Sequence, residues 1–164
     1  MSEAPARGTL SLTRRVTFTA AHRYQRPEWS AAQNAERFGK ALMEFHSHDY
    51  ACDVTVVGAL DETTGMIVDL GLLDRVLHAE VVERFDQRRL NVDVEEFAGG
   101  GQMPTGENIA CLIAHRVQRG LDEAGAGVSV TEVSVAEDPT LRSTWRLDGV
   151  APGATNAPPG PRAL

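Results

Sequence analysis

Cysteine is scarce. The 164-residue chain holds two, Cys52 in a β-like apolar stretch and Cys111 in a helical pattern. Such a pair makes no disulfide framework and points to a reducing, cytoplasmic setting. No apolar run approaches the roughly 20 residues a membrane span requires. Met1 to Gly8 lacks both the basic lead and the apolar core of a secretory signal, so a soluble protein with no membrane partner is expected. A long basic run is missing too. The 16 basic and 23 acidic side chains leave a net charge of −7, which argues against nucleic acid as a partner and in favour of a small molecule or a protein.

Periodicity is absent at the C-terminus, where ATNAPPGPRAL cannot bury enough apolar surface to order itself. The expected organisation is a flexible N-terminus over 1–8, one domain over 9–150 and a disordered tail over 151–164. Within the domain, Thr9 to Ala20 and Asp49 to Ala59 read as strands, separated by a polar, irregular segment from Tyr24 to Gly39. Asp69 caps a helix with the apolar stripe Leu72, Leu73, Val76, Leu77, Val82 and Phe85. Thr105 caps a second, with Ile109, Leu112, Ile113, Val117 and Leu121 at helical spacing. Val128 to Ala136 and Ser143 to Val150 read as a final pair of strands. The order β-β-α-α-β-β makes the fold α+β.

Five histidines are present, and two of them, His46 and His48, sit two apart at the start of a strand-like run. The strand period of two turns both imidazoles to one face. Catalytic zinc commonly takes three protein ligands and keeps a fourth position open, and His22, at the end of the neighbouring strand, is the natural third. On spacing alone the pair also reads as a surface feature or a hydrogen-bonded couple. His78 and His115 lie in helical patterns without a ligand at metal spacing and stay outside the site.

FTAAH (Phe18 to His22) resembles the F-S-A-x-H segment, and FHSHDY the H-G-H-N-Y segment, of the 6-pyruvoyltetrahydropterin synthase and 6-carboxytetrahydropterin synthase family. GMIVDLGLL (Gly65 to Leu73), Leu90 and Asn91 after Asp86, PTGEN (Pro104 to Asn108) and VAE (Val135 to Glu137) resemble further family segments in the same order. The resemblance implies the tunnelling fold. In it two helices cover one face of a four-stranded antiparallel sheet, and subunits join edge to edge into a barrel, usually a homohexamer made of two trimers. It also implies that zinc sits on His22, His46 and His48. Glu137 becomes a candidate anchor for the 2-amino-4-oxo edge of a pterin, since a carboxylate accepts from two adjacent N–H donors. Thr105 and Glu107 would line that pocket; equally, Thr105 is a helix cap and Glu107 a first-turn acid favoured by the helix dipole.

The resemblance breaks at the proton relay. Members of the family carry a catalytic cysteine shortly before H-G-H, where FGKALMEFHSH has Ala41 and Leu42. The family's D-H dyad is altered as well, Asp86 being followed by Gln87. Neither alanine, leucine nor glutamine takes a proton near neutral pH. Glu44, two residues before His46, is the replacement candidate, although it also reads as a solvent-facing loop acid. Asp86 is the alternative base, or only a helix-end residue. The expected function is a zinc-dependent lyase acting on a dihydropterin side chain. A non-pterin carbonyl substrate at the same metal, or a non-catalytic pterin-binding relative, are the competing readings.

Overall fold

In the computed structural model, which describes residues 8–149, two long strands carry the histidines. β1 (Ser11–His22) and β2 (His46–Gly58) run antiparallel, in one register from Ser11 opposite Val57 to His22 opposite His46. Both strands reach further toward the histidines than the apolar alternation marks, because each added residue keeps a ladder partner. The expected flexible ends lie outside the described residues, save Gly8.

The segment between the strands is not irregular throughout. It forms α1 (Ala31–Phe38) and α2 (Lys40–Met43). Ser30 and Gln33 close a capping box, each side chain bonding the other's backbone N–H. Asn34, fully buried, accepts from Arg26 N–H and donates to the carbonyls of Arg26, Trp29 and Ser30.

The first expected helix starts at its Asp69 cap, which accepts from Leu72 N–H at 2.6 Å. It runs as α3 (Leu70–Leu77), one π turn (His78–Val82) and α4 (Glu83–Phe85). Its buried positions are Leu73, Leu77, Val81 and Phe85. A spacing of four drifts off one face of a helix with 3.6 residues per turn, and the wider π turn absorbs the drift. This is why Val81, and not Val82, enters the core.

Gln87 then takes φ 57° and donates its N–H to Thr19 O at 2.6 Å, while Asp86 Oδ1 accepts from Thr19 N–H at 2.8 Å. That double clasp lays β3 (Arg88–Arg89) parallel to Ala20 and Ala21. α5 (Leu90–Asp93) and α6 (Gly106–Glu123) come next, then β4 (Val128–Ala136) and β5 (Arg142–Arg146). The sheet order is β3-β1-β2-β4-β5. The sheet is therefore five-stranded and mixed, one short parallel strand more than the four antiparallel strands expected.

Thr131 is an extra residue in β4, at a bulge opposite Thr55 and Val56. It switches the parity of the strand, so that Val128, Val130, Val133 and Val135 are all buried. Helices α3, α4 and α6 seal this side with Ile109, Ile113, Val117 and Leu121 added to the first helix's stripe. The opposite face is polar, with Arg15 forked onto Asp53, Thr13 on Thr55 and Arg146 on Glu132. Cys52 and Cys111 are both free. No helix among the described residues is long and apolar enough to cross a membrane.

Candidate functional site

The end of the β1–β2 ladder places His22 directly opposite His46, and Ala20 opposite His48. One potential ligand nitrogen from each of His22, His46 and His48 lies within 4.8 Å of the other two. His22 is fully buried. Its Nδ1 lies 2.7 Å from the carbonyl of Pro104. A carbonyl only accepts, so Nδ1 carries the proton and Nε2 presents its lone pair. His46 is oriented in the same way, Nδ1 lying 3.0 Å from the Glu44 carbonyl. Carbonyls that fix ring orientation behind a metal ligand are the usual outer support of such sites.

Burial pushes the His22 pKa down from the usual 6.5 to about 4, with the neighbouring His46 and His48 adding to the fall and the Pro104 carbonyl opposing it. The unfolded chain takes up a proton near 6.5, the folded one only near 4. This contribution to stability is complete above pH 6.5 and is lost as the pH falls from 6.5 through 4. Metal-free protein is expected to be about 2 kcal/mol less stable at pH 5 than at pH 7.5 on this account. Urea unfolding at the two pH values measures it, and His22→Asn should remove that part of the difference; an equal pH dependence in the variant would refute the assignment.

Glu137 stands one residue beyond β4, its Oε2 3.8 Å from His48 Nε2. The next residue shapes the turn that carries it: Asp138 Oδ1 accepts from Thr140 N–H, Thr140 Oγ1 and Leu141 N–H. Burial holds the Glu137 carboxyl above the usual range, against the pull of His48 and His46. Two buried polar atoms here have no hydrogen-bond partner, His22 Nε2 and Glu137 Oε1. Groups of this kind are costly unless something completes them. Three imidazoles with bare nitrogens fit a metal of the zinc type, and an unfilled carboxylate oxygen beside them fits a ligand bearing N–H donors.

Thr105 caps α6, accepting from Asn108 N–H at 3.4 Å, directly after the Pro104 that holds His22. Glu107, in the first turn, is exposed, and its charge acts on both Glu137 and Tyr24. Glu44 is the exposed residue that ends α2. Its carbonyl holds His46, and its carboxylate has no ion pair or hydrogen bond among the described residues. Asp86 is not gathered at the triad. Its carboxylate is spent on Thr19 N–H at the outer edge of β1.

Residues that the sequence pattern alone did not single out also belong here. Tyr24 and Tyr50 lie two positions after His22 and His48, the spacing that marked the histidine pair. Tyr50 is fully buried with its hydroxyl 3.5 Å from His22 Nδ1, and the Tyr24 ring stands edge-on to His22 at 5.2 Å. At Gly106 a Cβ would lie 2.6 Å from Ser143 Oγ and 3.1 Å from Ser143 Cβ, so a larger residue at the start of α6 would force the Ser143 side chain to shift, while its 3.5 Å approach to Glu137 Oε1 would be an ordinary contact.

A family model described as 6-pyruvoyl tetrahydropterin synthase matches residues 11–147. The chain is 34% identical over 144 residues to a 6-pyruvoyl tetrahydrobiopterin synthase of Drosophila melanogaster, covering 85% of this chain and 83% of that protein. It is 30% identical over 108 residues to the 6-carboxy-5,6,7,8-tetrahydropterin synthase of Bacillus subtilis, covering 65% and 70%. The solved structure of the Caenorhabditis elegans 6-pyruvoyl tetrahydropterin synthase superposes with a TM-score of 0.76 at 28% identity, covering 86% of this chain and 97% of that one. Taken with the histidine-bearing strands and the paired helices on one sheet face, these matches establish that the chain belongs to the 6-pyruvoyl tetrahydropterin synthase family.

Proposed function

We propose that the protein is a zinc-dependent lyase acting on the side chain of a dihydropterin, 7,8-dihydroneopterin triphosphate or a close relative. The observation that carries this reading is the coincidence of two unfilled buried atoms, His22 Nε2 and Glu137 Oε1, at one histidine triad. His22, His46 and His48 hold the metal. Bound there, zinc would supply Lewis acidity toward the oxygens of the substrate side chain. Glu137 takes the 2-amino-4-oxo edge of the ring, accepting from adjacent N–H groups, while Thr105 and Glu107 flank it.

The thiol that family members place ahead of the H-G-H segment has no substitute among this chain's cysteines. Cys52 is sealed in the core, and burial pushes its thiol up to about 12; Cys111 lies on α6. Glu44 is proposed as the proton-transfer group, because its carboxylate is exposed and uncommitted next to His46. A Plasmodium vivax synthase of this fold has been studied as a catalytic-residue mutant that replaces a glutamate by alanine, a precedent for an acid in such chemistry. Asp86 is the second candidate. Its single bond to Thr19 N–H makes it the less available of the two. Assembly into a homohexamer, a dimer of trimers, is proposed from the edge of β1, which from Ser11 to Phe18 has a neighbour strand on one side only.

Zinc-loaded protein incubated with 7,8-dihydroneopterin triphosphate is expected to cleave the side chain or release triphosphate, as read by mass spectrometry. Glu44→Gln should slow this by about 100-fold or more while keeping its metal. An untouched substrate in the presence of bound zinc would shift the reading to a different carbonyl substrate or a binding role.

A further inference from the structure

We propose that Tyr24 orients the bound ligand, its phenol donating a hydrogen bond to a ligand oxygen held between the three imidazoles and Glu137. This rests on the reading that the histidine triad and Glu137 take an oxygen-bearing small molecule. Tyr24 is carried past the end of β1, two residues beyond His22, and its amide is fixed by donation to Leu42 O at 2.7 Å. Its ring stands edge-on to His22 at 5.2 Å and to His46 at 6.3 Å, and it also meets the Phe38 ring edge-on at 6.0 Å. Phe38 is itself stacked on Trp29 at 5.9 Å, so helix α1 forms an aromatic buttress that holds the tyrosine against the triad.

The hydroxyl is the part of Tyr24 without an assignment. It has no hydrogen-bond partner among the described residues, yet it is not sealed off as His22 Nε2 and Glu137 Oε1 are. A phenol O–H can donate a hydrogen bond, whereas the carboxylates of Glu137 and Glu107 only accept when ionised. Tyr50, the other tyrosine at the triad, is fully buried beside His22 and cannot meet a ligand in this way. The site thus holds acceptors in Glu137 and Glu107, bare nitrogens in the histidines, and one neutral donor in Tyr24. That set matches a ligand with N–H groups at one end and hydroxyl or carbonyl oxygens at the other.

Two probes test this with zinc-loaded wild type and Tyr24→Phe, by calorimetry or fluorescence. One is 7,8-dihydroneopterin and the other acetohydroxamate, a small oxygen donor that binds metals without a pterin ring. Loss of one neutral hydrogen bond is expected to weaken each probe by about 3- to 10-fold, with zinc content and melting temperature unchanged because the ring and its packing remain. Tyr24→Phe with wild-type affinity for the probes overturns the role of the hydroxyl and leaves the pterin reading intact if dihydroneopterin binds. A wild type that takes acetohydroxamate but not dihydroneopterin overturns the pterin reading, and weaker hydroxamate binding in the variant then supports Tyr24. Binding of neither probe overturns both.

Discussion

His46→Ala is expected to lose its metal. Removal of an outer-shell partner alone typically costs 10- to 100-fold in metal affinity, and loss of one of three ligands should exceed that. His46 faces His22 across the last rung of the ladder, and His48 lies two residues along the same strand on the same face, so the variant keeps only His22 and His48. Two nitrogens do not close a site whose third position and open position are both solvent. After dialysis against a metal-buffered solution, wild type should retain about one zinc per chain and the variant almost none by elemental analysis. His115→Ala is the control, since His115 lies on α6 beside Cys111, outside the triad. Because a ligand that binds only the folded state stabilises it by about 2.7 kcal/mol at 100 times its dissociation constant, the melting temperature of wild type should rise with added zinc while that of His46→Ala stays flat. Stoichiometric zinc in His46→Ala would remove this residue from the ligand set.

Features that obey a short period were legible in the sequence. His46 and His48 announce themselves by the strand's alternation, and Tyr50 continues the same series. His22 and Tyr24 repeat it on the neighbouring strand, and attention to that second pair would have found the tyrosines. The two main helices were legible from their apolar stripes and from Asp69 and Thr105 as caps. Ser30 and Gln33 carried the capping-box signature of α1 too, but the apolar residues along one face, Ala31, Ala35 and Phe38, are few and mostly small, and the helix buries only Asn34, so no large core-facing stripe marked it. The π turn and β3 were beyond local reading. One is settled by where Val81 and Phe85 must meet the sheet, the other by a clasp between Thr19 and residues 86 and 87, far away in the chain. The same holds for the Pro104 carbonyl behind His22, since a backbone oxygen leaves no trace in residue type. Glu137 was reached through resemblance, and its partnerless Oε1 is a property of the folded site alone.

Phe85→Ala is expected to destabilise the protein by about 3–5 kcal/mol, the range for deleting a buried aromatic side chain. Phe85 is fully buried at the end of α4, its ring 5.5 Å from Phe18, and Phe18 stacks on Tyr50 at 4.9 Å with 15° between planes. Two of these three rings are fixed to β1 and β2, whose ladder is continuous, so the strands cannot collapse into the space the ring leaves. The helix cannot easily move in either, because Asp86 and Gln87 are clasped to Thr19 immediately after it. An unrelaxed cavity is the costly kind. Urea unfolding should show the midpoint fall at unchanged slope, and the melting temperature should drop by roughly 10 °C for a chain of this size. Phe45→Ala provides the contrast, for its ring is 37% exposed under Arg23 and its loss should cost much less. Phe85→Ala leaves all three histidines in place, so below its melting transition it should still bind one zinc per chain. A loss below about 1 kcal/mol would mean that the helix does relax onto the strands, and the clasp at Thr19 would then be looser than its two hydrogen bonds imply.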